Sequence, residues 1–183
     1  MIDSQVIAPQ GGQDPLPVES MRTCFFLIMG VSGCGKTSVG KALAARLGWH
    51  FYDADDFHPP ANIAKMARGL PLNDDDRRPW LAALHDLIAT CLKEQRPAVL
   101  ACSALKESYR QTLLAGIAGV QIVYLKGSYA LIHARMARRP GHFMKPGMLR
   151  SQFDALEEPT DALTVDCALP VEQIVEKIAG SVQ

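Results

Sequence analysis

Eight consecutive residues, Gly30-Val31-Ser32-Gly33-Cys34-Gly35-Lys36-Thr37, satisfy the pattern G-x-x-x-x-G-K-[ST], and their flanks restrict the fold further. Residues 23–29 before them form one continuous apolar run of strand length, as in a strand covered on both faces in a parallel sheet. After them, Val39, Leu43, Ala44 and Leu47 recur at helical spacing until Gly48, a helix stop signal. Between strand and helix, the glycines let the backbone turn so that successive N–H groups face one anion-sized concavity. The helix start adds its own unpaired N–H groups and partial positive charge. A nucleoside triphosphate is the ligand this arrangement suits, with Gly30, Ser32, Gly33, Cys34, Gly35, Lys36, Thr37 and Ser38 as its candidate contacts. Lys36 is placed to reach the β- and γ-phosphates, and the Thr37 hydroxyl to ligate Mg²⁺.

A chain of 183 residues is the size of one domain. Lys+Arg and Asp+Glu balance at 19 each, so no surplus of positive charge points to nucleic acid or a membrane surface, and a small molecule is the expected partner. No apolar stretch approaches the roughly 20 residues of a membrane span. The first residues also lack a basic-then-apolar leader, so a cytoplasmic location is expected. The five cysteines, at 24, 34, 91, 102 and 167, are odd in number and lack a C-x-x-C pair, which argues for reduced thiols. Cys34 has two readings: a thiolate favoured by the surrounding N–H donors and open to oxidation, or a small side chain filling a loop position. Residues 1–20, rich in proline and glycine and without periodicity, read as a disordered tail, with Met21 a candidate start.

Further strand-like runs at 49–52, 98–102, 121–125 and 162–165 bring the number of strands to five. Helical spacing marks 79–92, 103–115, 129–138 and 171–179. This alternation predicts a doubly wound, mostly parallel α/β sheet whose ligands gather at the carboxyl ends of the strands.

At that edge the second strand runs into Asp53-Ala54-Asp55-Asp56-Phe57-His58. The third strand ends without an acid, so Asp53 is the candidate metal-side carboxylate. Asp55, on the same side if the chain stays extended, is placed to orient or deprotonate a substrate hydroxyl. Asp56 reads as a loop or helix-capping acid. The polar segment 59–78 reads either as a loop ending in a helix start, with Asp76 as cap and Pro79 in the first turn, or as an inserted acceptor pocket. In Arg138-Arg139-Pro140-Gly141-His142-Phe143-Met144-Lys145-Pro146, glycine and proline break a helix and leave cations free to close over phosphates, which reads as a lid.

Several blocks together resemble the gluconokinases: His58-Pro59-Pro60-Ala61-Asn62, Pro71-Leu72-Asn73-Asp74-Asp75-Asp76-Arg77-Arg78-Pro79-Trp80-Leu81, Cys102-Ser103-Ala104-Leu105-Lys106 with Tyr109-Arg110, Tyr124-Leu125-Lys126-Gly127, Gly141-His142-Phe143-Met144-Lys145, and Gln152-Phe153 with Glu158-Pro159. The likeness runs from about Thr23 onward. It implies a P-loop NTPase fold, a three-layer α/β/α sandwich around a five-stranded parallel sheet, with a substrate-binding insertion and a lid at about 138–148. It further implies phosphorylation of D-gluconate at its 6-hydroxyl with ATP and Mg²⁺, and a homodimer. Carried over residue by residue, it implies that Asp55, His58, Arg68 and Arg110, with Asn62 and Gln152, lie near the sugar acid. Lys145 takes the place of a lid arginine and joins Lys36 and Asp55 as a catalytic candidate. Arg138 or Arg139 would flank the adenine. A kinase for another small acceptor, such as shikimate or a nucleoside monophosphate, is the second reading, although Cys102-Ser103-Ala104-Leu105-Lys106 stands where shikimate kinases have a glycine-rich turn. A nucleotide-sensing switch without transferase activity is the third.

Overall fold

The computed structural model describes residues 24–138 and 146–181. The tail at 1–20, the start at Met21 and most of the lid, with Arg139 and Lys145, lie outside the described residues. Five parallel strands, β1 (Phe25–Met29), β2 (His50–Asp53), β3 (Ala98–Ala101), β4 (Val120–Lys126) and β5 (Leu163–Asp166), form one sheet in the order β2-β3-β1-β4-β5. Between and after them run the helices α1 (Lys36–Leu47), α2 (Pro60–Ala67), α3 (Asp74–Lys93), α4 (Glu107–Leu113), α5 (Tyr129–Ala137), α6 (Pro146–Asp154) and α7 (Val171–Ala179).

The strand period of two divides the core between the two sheet faces. On β1, Phe26 and Ile28 pack with Val39 and Leu43 of α1, Ile132 of α5 and Ile174 and Ile178 of α7. Phe25, Leu27 and Met29 point the other way, onto Leu84 and Ile88 of α3 and Leu113 of α4. All five β1 side chains are fully buried, which is why this central strand reads as an unbroken apolar run rather than an alternating one. The phosphate loop thus leaves the middle of the sheet, with β3 and β4 on either side.

The expected α/β sandwich is present, with corrections at its boundaries. Helix α3 starts at Asp74, so Pro79 lies inside the helix instead of in its first turn. Its cap is Asn73, whose side chain accepts from the Asp76 N–H while the Asp76 carboxylate accepts from the Asn73 N–H. Asp76 is therefore the third-position partner of a capping box, not the cap. The helix expected over 103–115 is only Glu107–Leu113. Residues 103–106 form a loop because Ala104 takes a left-handed φ of 42°. Two helices were not expected. Helix α2 leaves Ile63 and Met66 exposed, so it lacks the buried stripe that makes a helix legible, and α6 follows the lid segment.

Candidate active site

Glycine is required at the two ends of the loop's first turn. Gly30 has φ 142°, and a Cβ there would meet the Leu125 carbonyl oxygen at 2.9 Å. Gly33 has φ 83°, and a Cβ there would strike Met136 of α5 at 2.7 Å. Gly35, also left-handed, is the N-cap of α1; no side chain caps that helix and no acid occupies its first turn. The N–H groups of Gly33 and Gly35 have no acceptor among the described residues. Uncapped N–H groups at a helix start, beside a concave loop, make an anion site. Ser38 follows, exposed, in the first turn of α1.

Lys36 folds back, its Nζ donating to the Val31 carbonyl at 3.0 Å. Cys34 is buried, and burial pushes its thiol pKa up despite the nearby Lys36 charge. The thiolate reading is thereby overturned: low polarity around the sulfur outweighs the loop's donors, and Cys34 fills space below Gly30. No disulfide joins the five cysteines.

The Thr37 hydroxyl donates to Asp53 Oδ2 at 2.9 Å, which brings the two metal-side candidates together. Asp53 Oδ1 accepts from the Asp55 N–H at 3.2 Å, so the same carboxylate caps a short 3₁₀ turn, Ala54–Phe57. The extended course assumed for Asp55 is thus replaced by a turn, which exposes Asp55 and Asp56. Among the described residues no three His, Cys, Asp or Glu side chains gather as a metal site. A hydroxyl and one carboxylate fit Mg²⁺, a hard ion that keeps waters and takes phosphate oxygens for its remaining ligands.

Beyond the turn lies a cavity of about 810 Å³ lined by Asp55, His58, Trp80 and Gln152, among others. Its wall joins the phosphate loop twice: the Gly30 N–H donates to the carbonyl of Ser103, a lining residue, at 3.3 Å, and the Ser32 N–H to Gln152 Oε1 at 2.6 Å. The pKa of Asp55 is raised, first because the cleft walls displace solvent and then by the neighbouring Asp53 charge. Its side chain is nonetheless 89 % exposed: the carboxylate touches water directly while protein excludes solvent beyond it. The His58 ring stacks on Trp80 at 4.6 Å and sets Nε2 4.0 Å from Asp55 Oδ1. Burial lowers the His58 pKa and so favours a neutral ring, against the opposing pull of the Asp55 charge. The Trp80 indole N–H donates to the Ala54 carbonyl at 2.7 Å, tying the acidic turn to α3.

Three other candidates for this pocket are placed elsewhere. Arg110 is 3 % exposed, its guanidinium donating to the Ala104 and Leu105 carbonyls and to Glu107. It closes the 103–106 loop and does not line the cavity. Asn62, also buried, donates to the Asp76 carbonyl and fastens α2 to α3. Arg68 is the C-cap residue of α2, its Nε donating to the Ala64 carbonyl; its neighbours Ala67 and Gly69 line the cavity, but Arg68 itself does not. Arg138, exposed, is the C-cap of α5.

The cations that do line the cavity are Arg77 and Lys106, with Tyr109 beside them. All three converge on Asp74: Tyr109 donates its hydroxyl, Lys106 Nζ lies at 3.1 Å and Arg77 NH1 at 3.5 Å. The Tyr109 and Lys106 hydrogen bonds hold the Asp74 pKa below the ordinary carboxylate value, and Asp74 raises that of Lys106. Two cations against one carboxylate leave a net positive corner. The sequence carried a partial signal, the three-residue spacing of Asp74 and Arg77, but nothing in it brings Lys106 and Tyr109 to them.

Comparison with known proteins agrees with this geometry. A family model described as shikimate kinase matches residues 32–178. The chain is 46% identical over 166 residues to the probable gluconokinase of Mus musculus, covering 79% of this chain and 90% of that protein. It is 45% identical over 154 residues to the thermoresistant gluconokinase of Escherichia coli K12, covering 82% and 88%. A solved gluconokinase structure from Sinorhizobium meliloti 1021 superposes with a TM-score of 0.76 at 43% identity, covering 85% of this chain and 90% of that one.

Proposed function

The chain belongs to the gluconokinase family, within the wider shikimate kinase group whose model it matches, and from that premise we propose that it transfers the γ-phosphoryl group of ATP to the 6-hydroxyl of D-gluconate. The observation that carries this reading is one cavity lined by both Asp55 and the Arg77–Lys106 pair, with two hydrogen bonds joining its wall to the phosphate loop. An acceptor with a carboxylate at one end and a hydroxyl at the other suits those two poles. Arg77 and Lys106 take the carboxylate by charge-assisted hydrogen bonds, in place of the Arg68 and Arg110 first considered.

At the other pole the hydroxyl oxygen attacks the γ-phosphorus, the bond to the bridging oxygen breaks, and the hydroxyl proton passes to Asp55. Lys36 leaves its contact with Val31 to meet the phosphates, and Lys145 supplies a second cation from the lid. Thr37 and Asp53 would hold Mg²⁺, which when bound neutralises charge on the phosphate oxygens. Orientation and electrostatics supply most of the acceleration in such transfers. His58 stiffens the acidic turn through Trp80, and Arg138 or Arg139 flanks the adenine. A homodimer and a cytoplasmic location belong to the same reading; no helix among the described residues is long and apolar enough to cross a membrane.

Release of ADP from Mg-ATP, measured against D-gluconate, other aldonates, shikimate, nucleoside monophosphates and no acceptor, tests the assignment. Strong release with D-gluconate is expected, and release only with a different acceptor would replace the substrate while leaving the transfer chemistry. Absence of release with every acceptor would favour a nucleotide-sensing protein.

A further inference from the structure

The phosphate loop and the acceptor cavity share one side chain. Gln152, on α6, lines the cavity with its neighbours Met148 and Ser151, yet its Oε1 accepts from the Ser32 N–H at 2.6 Å across 120 residues of chain. The partner decides the orientation of the amide: a backbone N–H only donates, so the oxygen must face it. Ser32 sits between Gly30 and Gly33, whose positive φ angles make the loop concave. An N–H of such a loop is also a donor for a phosphate oxygen. A single N–H cannot serve both at full strength, and a charge-assisted bond to phosphate is roughly twice as strong as a neutral one.

Granted the gluconate kinase reading, we propose that Gln152 couples the two sites: it occupies the Ser32 N–H while the nucleotide site is empty, and phosphate binding displaces its amide into the cavity to hydrogen-bond the polyhydroxy acid. Without nucleotide, the acceptor must either break the Ser32 contact or bind without Gln152. With nucleotide bound, that contact is already gone. The difference is one hydrogen bond, which corresponds to about three- to tenfold tighter acceptor binding in the presence of nucleotide. Linkage requires the acceptor to tighten nucleotide binding by the same factor.

The test is calorimetric titration of full-length protein with D-gluconate, with and without Mg²⁺ and the β,γ-imido analogue of ATP, which cannot transfer its terminal phosphoryl group. Wild type should show the three- to tenfold ratio, whereas Gln152→Ala should bring it close to one. Without acceptor, Gln152→Ala should also bind the analogue more tightly than wild type, because the competing oxygen is gone. Gln152→Glu keeps an acceptor for the Ser32 N–H but adds negative charge, and should bind the analogue more weakly. The coupling is overturned if Gln152→Ala keeps the wild-type ratio or binds the analogue less tightly, or if Gln152→Glu leaves that affinity unchanged. The analogue measurements need no acceptor, so they judge Gln152 even if wild type fails to bind D-gluconate, a result that would count against the substrate instead.

Discussion

Asp55 owes its candidacy as the base to its position after β2, but its pKa comes from the fold. Cleft walls that displace solvent, and then Asp53, raise it above the carboxylate's usual 3.8. A base works deprotonated, so kcat/KM should fall as pH drops through that raised value, placing the acid limb above the range of an ordinary aspartate. Asp55→Asn should remove this limb and lower kcat by roughly 10²- to 10⁴-fold while leaving Mg-ADP affinity near wild type. Steady-state rates across pH, paired with calorimetry of ADP, check both parts. An Asp55→Asn enzyme that keeps its rate would remove Asp55 from the proton transfer. Arg110 shows the opposite limit of sequence reading. Its identity suits a sugar-acid carboxylate, yet only the structure reveals that the guanidinium turns inward to the Ala104 and Leu105 carbonyls.

Those carbonyls belong to the loop between β3 and α4, the element that brings Ser103 and Lys106 to the cavity. Ala104 at φ 42° interrupts what helical spacing alone extends into a longer helix. The Arg110 fork, with one arm on the carbonyls and the other on Glu107, satisfies polar groups that the loop would otherwise bury unpaired. Arg110→Lys, with a compact ammonium that cannot span both sets, should destabilise the protein by roughly 1–3 kcal/mol. For a chain of this size that is a Tm lower by about 2–12 °C, measurable by calorimetry. An unchanged Tm with a raised KM for D-gluconate would return Arg110 to the substrate. The start of α3 was misplaced for a related reason: proline at position 79 suggests a first turn, but the Asn73–Asp76 capping box sets the helix going at Asp74.

At the scale of the molecule, two binding regions share one sheet edge, and occupation of the nucleotide region should stabilise the whole domain. Mg-ADP at a hundred times its Kd adds about 2.7 kcal/mol by mass action, or a Tm rise of roughly 5–11 °C. Chelation of Mg²⁺ with EDTA should remove most of that rise, since in the proposed mechanism the Thr37 hydroxyl and the Asp53 carboxylate reach the phosphates through the ion. Thermal shifts with and without EDTA decide this, and a rise that survives chelation would remove the metal role from the pair. By itself the sequence determined the parallel α/β sandwich, the phosphate loop with Lys36 and Thr37, and the acids at 53 and 55, because apolar runs, glycine spacing and motif chemistry are local properties of the chain. Only the tertiary structure decided which cations line the cavity, and that Gln152 reaches Ser32. Those choices depend on side chains far apart in sequence meeting in space: Asp74 and Arg77 with Lys106 and Tyr109, and the phosphate loop with α6.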